Sequence, residues 1–247
     1  MTKTLLCSLF VFTLSMAFGQ GTNSLTPEEY DSLKANNQLH TAGNYQIQAD
    51  SALWNSVKKK KHGGIPQKAT GCISYTAPDN SYQLALAPND DGSSSPITIP
   101  FDFCFYGDTM NTMWINNNGN ISFQGPYATF SPSAFPSMGN ELISPFWADI
   151  DTRNNLGEVW YKVTPTAIYV NWVDCGYYNM HGDKRNTFQL VITDGVDPII
   201  QGGNVAFLYD DMQWTTGDAS NGVNGFGGIP GTAGMNKGDN VANVFLG

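Results

Sequence analysis

The chain has 247 residues, of which 13% are charged and 13% aromatic, with a formal net charge of -9 and a pI near 4.5. That acidic balance excludes the electrostatics by which proteins hold nucleic acid or anionic membranes, and leaves cationic partners or Ca²⁺ open. Few charges beside many uncharged polar residues make the composition of a secreted β protein rather than a helical cytosolic enzyme. In chain order, Lys3 precedes an apolar run at residues 5–12 and then Ala17-Phe18-Gly19, a small-x-small cleavage signal before Gln20. This predicts a signal peptide over residues 1–19, with no membrane insertion because the run is too short to span a bilayer. Its removal takes Cys7 and leaves Cys72, Cys104 and Cys175. In an oxidising compartment we expect one disulfide, Cys72–Cys104, stapling the domain's first segment to a strand, with Cys175 as a small buried hydrophobe.

Residues 20–70 read as a leader. Thr26-Pro27-Glu28-Glu29 supplies an N-cap, a proline at the first helical position and the glutamate of a capping box. A short helix over residues 27–36 is predicted, with Tyr30 and Leu33 on one face. Residues 37–67 are polar and weakly patterned, and the lysine run at 58–61 reads as a solvated linker in preference to a processing site or basic contact.

From about Cys72 the period becomes two, giving a β domain over residues 71–247. Ile97-Thr98-Ile99 leads through Pro100 into the alternating residues 101–105. Asn116-Asn117-Asn118-Gly119 separates two short apolar runs as a hairpin turn would. Residues 142–150 form the most apolar stretch, and Pro145 places that strand at a sheet edge or a bulge. Thr164-Pro165-Thr166 joins a second hairpin. Phe188, Leu190 and Ile192 alternate with Gln189, Val191 and Thr193, and residues 205–209 alternate likewise. Short strands, turn-rich joins and almost no helix predict an all-β antiparallel sandwich or barrel-like domain.

After the last of these strands comes a glycine-rich loop, residues 210–228. A flexible linker would not carry Trp214, Val223 and Phe226, so we expect an ordered loop that folds back to close one end of the sheet. Trp214, Thr215, Thr216, Asp218 and Ser220 are the binding-loop candidates, the polar side chains also bonding the loop's own amides.

Three segments in order carry a resemblance: residues 147–153 preceded by Pro145-Phe146, residues 184–190, and residues 213–220. With Phe105-Tyr106-Gly107, residues 115–119 and Ala233-Gly234, they resemble the nidogen-like extracellular (NIDO) domain of nidogens, tectorins and some membrane mucins, over about residues 96–247. The resemblance implies an extracellular module associated with cell–matrix adhesion, binding a protein or glycan, with no catalytic residues to carry over. Lacking neighbouring EGF-like or mucin-type modules, the chain fits a bacterial-type surface protein or part of a longer one.

The same residues admit other chemistry. Asp149 and Asp151 share a strand face, and Asp218 or Asp210 joining them would make a hard-oxygen site for Ca²⁺; the preferred alternative pairs Asp149 or Asp151 with Arg153 or Arg185. Acids beside Trp147, Trp160 and Trp214 suggest a Ca²⁺-dependent carbohydrate-binding or carbohydrate-cleaving domain, the runner-up reading. His181 reads as an exposed turn residue, since no Gly-x-Ser-x-Gly elbow accompanies it, and no Cys/His spacing suits zinc. Asn120-Ile121-Ser122 is a formal glycosylation sequon on a predicted strand. The expectation is therefore a secreted interaction module rather than an enzyme.

Overall fold

The segments of period two become strands. The structure, a computed structural model, describes residues 23–36, 38–39, 45–47, 73–200 and 203–246. The signal peptide, Cys72 with its expected disulfide, and the lysine run lie outside the described residues. In chain order the elements are β1 (Asn23–Leu25), α1 (Pro27–Ala35), β2 (Tyr45–Ile47), β3 (Gln83–Leu86), β4 (Ile97–Phe105), β5 (Asp108–Asn116), β6 (Asn120–Ser122) and β7 (Leu142–Trp147). They continue with β8 (Ile150–Asp151), β9 (Glu158–Val163), β10 (Ala167–Tyr177), β11 (His181–Thr193), β12 (Val205–Met212), β13 (Thr232–Asn236) and β14 (Asn243–Phe245).

Two antiparallel sheets form a sandwich, not a closed barrel. One runs β12-β11-β10-β9-β3 with β8 beside β10, and the other β14-β13-β7-β6-β5-β4. Their inner faces share one core, to which Phe103, Met113, Ile121 and Ile143 come from one sheet and Val159, Trp172, Phe188 and Leu190 from the other. Burying each such side chain contributes about 1.5–3 kcal/mol relative to exposure. Aromatic rings connect across this core: Trp172 stacks on its register partner Phe188 at 5.1 Å, Phe188 meets Phe146 at 5.5 Å, and Phe146 meets Trp214 at 5.3 Å.

The prolines sit where a missing donor is tolerated. Pro100 lies on β4, an edge strand, and Pro145 lies where the β7–β13 register slips between Thr232 and Gly234. Of the edge and bulge alternatives for Pro145, the bulge holds, because β7 is flanked on both sides. The β11 alternation does not leave a wet face: residues 188–193 are all buried. The reason is the segment before β3, which crosses the outside of the sheet. There Asn171 and Gln189 donate to the Thr76 carbonyl at 2.8 and 3.0 Å, and Tyr82 packs on Trp160 and Val173. Cys175 is fully buried, and burial pushes its thiol pKa up, as expected of an inert hydrophobe.

The helix forms with its capping box: the Glu29 amide donates to Thr26 Oγ1 at 3.2 Å and the Thr26 amide to Glu29 Oε2 at 2.9 Å. The helix packs onto the β domain. Tyr30 and Lys34, one helical turn apart, are buried against the β domain, while Leu33 is only half-buried. β1 and β2 pair with each other in parallel and join neither sandwich sheet.

Candidate functional site

One end of the sandwich is built on the asparagine turn between β5 and β6. The hairpin turn expected from the sequence is not at the surface: Asn116, Asn117, Asn118 and Asn120 are all buried. Gly119 adopts φ +74, and a Cβ there would lie 1.9 Å from the Phe146 carbonyl oxygen, so only glycine lets the turn enter. Once inside, the amides satisfy other loops. Asn117 Nδ2 donates to the carbonyls of Asp90 and Ile150, and Asn118 accepts from the Ile150 amide at 2.9 Å while donating to Asp91 Oδ1 at 2.6 Å. Asn120, the formal sequon residue, is closed to glycosylation in the folded chain by the same burial.

On this platform Asp90, Asp91 and Asp149 converge, with one carboxylate oxygen of each lying within 4.8 Å of the others. Lys34 of α1 fills the space between them. Its ammonium donates to Asp90 at 2.9 Å, Asp91 at 2.9 Å and Asp149 at 2.7 Å, with no exposed side-chain surface. Two ring faces complete the enclosure, Tyr178 at 4.0 Å and Phe130 at 4.4 Å from Nζ. Tyr30 donates to Asp91, and Asp31 pairs with Arg153 at 2.5 Å.

Charge in this socket is out of balance. Burial alone would lower the Lys34 pKa, but Asp149, Asp90 and Asp91 outweigh it and hold the ammonium well above its ordinary value. Burial and like charge push Asp90 well above the carboxylate range, and burial raises Asp149 to about 7 against the opposing pull of Lys34. Among the described residues, Asp90 Oδ1 and Asp149 Oδ2 have no hydrogen-bond partner. Asp90 and Asp149 therefore hold their protons more tightly than ordinary carboxylates, as a coupled group.

The sequence-derived ligand set does not assemble. Asp149 faces Lys34, whereas Asp151 takes Arg153 in a two-point pair at 2.9 and 2.6 Å. Asp218 lies elsewhere, bonded to His181 at 2.8 Å, and is exposed. The acids that do meet Asp149 are Asp90 and Asp91. Their Pro-Asn-Asp-Asp-Gly context reads as a surface turn, and nothing local announces that an asparagine turn and a distant helix will enclose it. Trp147, Trp160 and Trp214, the suggested sugar platforms, are all buried, their indole N–H groups donating to Thr129, Glu158 and Cys175.

Next to the socket lies the glycine-rich loop. Gly217 packs so close that a Cβ would stand 2.6 Å from that of Asp149, and the Asp218 amide donates to the Tyr178 carbonyl at 2.8 Å. Trp214 is buried as expected, and Asn186 holds the strand exit, accepting from the amides of Gln213 and Trp214 and donating to the Trp214 carbonyl. Of the other candidates, Thr216 and Ser220 are buried and Thr215 is exposed. Their side chains do not serve the loop's amides as anticipated. Thr216 donates to the Gly227 carbonyl, Thr215 reaches the Gly225 carbonyl at 3.5 Å, and Ser220 meets Ser131.

A second correction concerns Val223 and Phe226. They do not close the sheet; they are 72% and 48% exposed. The two residues bond each other's backbones at 2.8 and 3.3 Å across Asn224-Gly225, both at positive φ, which makes a tight hairpin with an Asn-Gly turn. Its apolar side chains point away from the core. Lys184 stands 5.8 Å from the Phe226 ring and pairs with Asp183, which accepts from Tyr177; Tyr177 in turn stacks on His181 at 4.6 Å. His181 is thus half-buried and partnered rather than a free turn residue.

Residues 65–242 match the family model described as NIDO related. The chain is 33% identical over 186 residues to alpha-tectorin of Gallus gallus, covering 63% of this chain and 8% of that protein. It is 29% identical over 142 residues to nidogen-1 of Mus musculus, covering 44% of this chain and 11% of the relative. A similarity of 26% over 169 residues extends to dendrite extension defective protein 1 of Caenorhabditis elegans, covering 58% and 14%. The match therefore spans about a tenth of each relative's length. No solved structure matches the chain.

Proposed function

Since the chain belongs to the NIDO-related family, we propose that it is an adhesive interaction module that binds another extracellular protein without catalysis. The module is extracellular, in keeping with its tectorin and nidogen relatives. Those relatives are animal proteins and lend no support to a bacterial-type origin.

The observation that carries the reading is the hairpin tip. A loop anchored by a buried tryptophan and closed by its own backbone bonds holds Val223 and Phe226 out in solvent, with Ile229 also 44% exposed. Apolar side chains on a backbone-closed hairpin, with the Lys184 ammonium beside the Phe226 ring, have the make-up of a protein-binding patch, in which ordering costs little and apolar area is gained on contact. A glycan reading lacks its aromatic platforms, since the three tryptophans are enclosed. The test compares the wild-type chain with Val223→Ser/Phe226→Ser on an immobilised extracellular-matrix preparation. Binding lost with an unchanged melting temperature supports the tip as the contact. Full binding by the variant moves the interface elsewhere, and competition by simple sugars or EGTA would favour the Ca²⁺-dependent carbohydrate alternative.

A further inference from the structure

Socket and helix are separable parts. The N-terminal unit, β1 with α1 and β2, pairs only within itself and adds no strand to either sandwich sheet. Among the described residues, α1 is anchored on the β domain by Lys34 in the carboxylate cluster, Tyr30 on Asp91, Asp31 on Arg153 and the Tyr178 hydroxyl on the Asp31 carbonyl. About 25 residues, 48–72, separate β2 from the domain, a contour of up to roughly 80 Å when extended. That length does not confine the unit to the socket of its own chain.

The lining of the socket decides what it accepts. Ca²⁺ takes six to eight oxygen ligands at close range. Here the carboxylates share their space with the faces of Tyr178 and Phe130, 4.0 and 4.4 Å from the bound nitrogen, which offer a metal nothing but attract an ammonium. A compact ammonium with three donors satisfies all three acids at once, as Lys34 shows. The socket is therefore a receptor for a lysine carried on a helix, and the ligand whose fit is visible is α1 itself.

We propose that α1 is exchanged between copies of this chain, Lys34 of one copy completing the Asp90–Asp91–Asp149 cluster of another. The contacts are the same in either arrangement, so the balance is set by effective concentration: the tether favours its own socket in dilute solution, and crowding of modules favours exchange.

Complementation tests this on full-length chains. Lys34→Ala leaves a socket without its ammonium, and Asp90→Asn/Asp149→Asn leaves an intact helix without a proper socket. Each should be monomeric alone by light scattering, and mixing should give a one-to-one dimer whose melting temperature exceeds that of either variant. Two populations of monomers after mixing overturn the proposal, as does recovery of Lys34→Ala stability on addition of Ca²⁺ alone. Should a variant fail to fold, wild-type chains answer the same question. Isotopically heavy and light copies, concentrated together and then diluted, should yield mixed-mass dimers by native mass spectrometry, in a fraction that rises with concentration. Monomers alone at every concentration overturn it.

Discussion

The socket and the hairpin tip are neighbours with opposite chemistry. Gly217 begins the loop against Asp149, a wall of the socket, and within ten residues the same loop exposes Val223 and Phe226. In the socket, groups that prefer water are sealed inside; at the tip, groups that prefer the core are held outside. Each reversal requires support from the rest of the fold. The asparagine platform and Lys34 satisfy the buried acids, and Trp214 with the loop's backbone bonds keeps the tip from collapsing inward. Carboxylates and tryptophans thus serve the architecture here, while at this end Val223 and Phe226 offer apolar surface to solvent.

The sharpest way to break the comparison is to remove the cation from the socket. Lys34→Met keeps the stem but leaves three buried carboxylates without their ammonium, and should cost about 3–5 kcal/mol. Urea unfolding of both chains measures it. A loss below about 1 kcal/mol would mean that the acids are not sealed and that α1 does not hold the domain end. Next comes Trp214→Ala, which deletes a buried ring touching Phe146 and Tyr177 and should cost about 3–5 kcal/mol. A near-neutral result would show that the loop stands without its anchor.

Titration separates the two regions without any substitution. Asp149 is held at about 7 in the folded chain against an ordinary value of 3.8. Below the lower value both folded and unfolded chains carry the proton. Between the two the unfolded chain has lost its proton while the folded chain keeps it, so stability should fall as pH rises from about 4 to 7 and then level off. Lys34, raised, keeps its contribution below its ordinary value and loses it only as pH climbs through the higher folded one. Melts from pH 4 to 9 should show the decline, and Asp149→Asn should flatten it. An unchanged slope in that variant would place the retained proton on another group.

Asp218 offers a milder contrast with its buried counterparts. Its bond to His181 joins side chains that are 40% and 41% exposed, and pairs so open to solvent contribute about 0–1 kcal/mol. Asp218→Ala should therefore shift the unfolding midpoint only slightly; a loss above about 2 kcal/mol would reveal a structural role that exposure hides.

How much of this was legible follows from the range of the forces involved. Strand periods, the capping box of α1, the Thr164-Pro165-Thr166 hairpin and the burial of Trp214 and Cys175 are local or depend on one residue's preference for the core. The sandwich was legible because its alternation is. The socket was not, because it joins residues 34, 90, 91 and 149 across the chain, and an acidic turn or a helical lysine reads as solvated by default. Val223 and Phe226 misled for the inverse reason. Apolar residues are assigned inward, and only the Asn224-Gly225 turn between them, with φ of 55° and 85°, signals a hairpin, whose Gly225 packs on Trp214 while the two apolar side chains stay exposed.

That turn gives the smallest expected effect on stability and the clearest one on function. Val223 and Phe226 make their bonds to each other through the backbone, which any side chain permits, and their exposed carbons contribute little to the core. Phe226→Ser should thus change unfolding free energy by no more than about 0.5 kcal/mol. Lys184 loses a ring contact at 5.8 Å but keeps its pairing with Asp183. If the tip is the contact, binding to the matrix preparation should fall at least tenfold, because an apolar anchor at the centre of a patch carries far more than its rim. Asn224→Pro and Gly225→Val make the complementary pair. Both forbid the positive φ values of the turn while leaving the two apolar side chains in place. Loss of binding with the side chains intact would show that the partner reads the hairpin's shape. Retained binding would reduce the tip to a sticky pair of residues and weaken the case for a formed recognition surface.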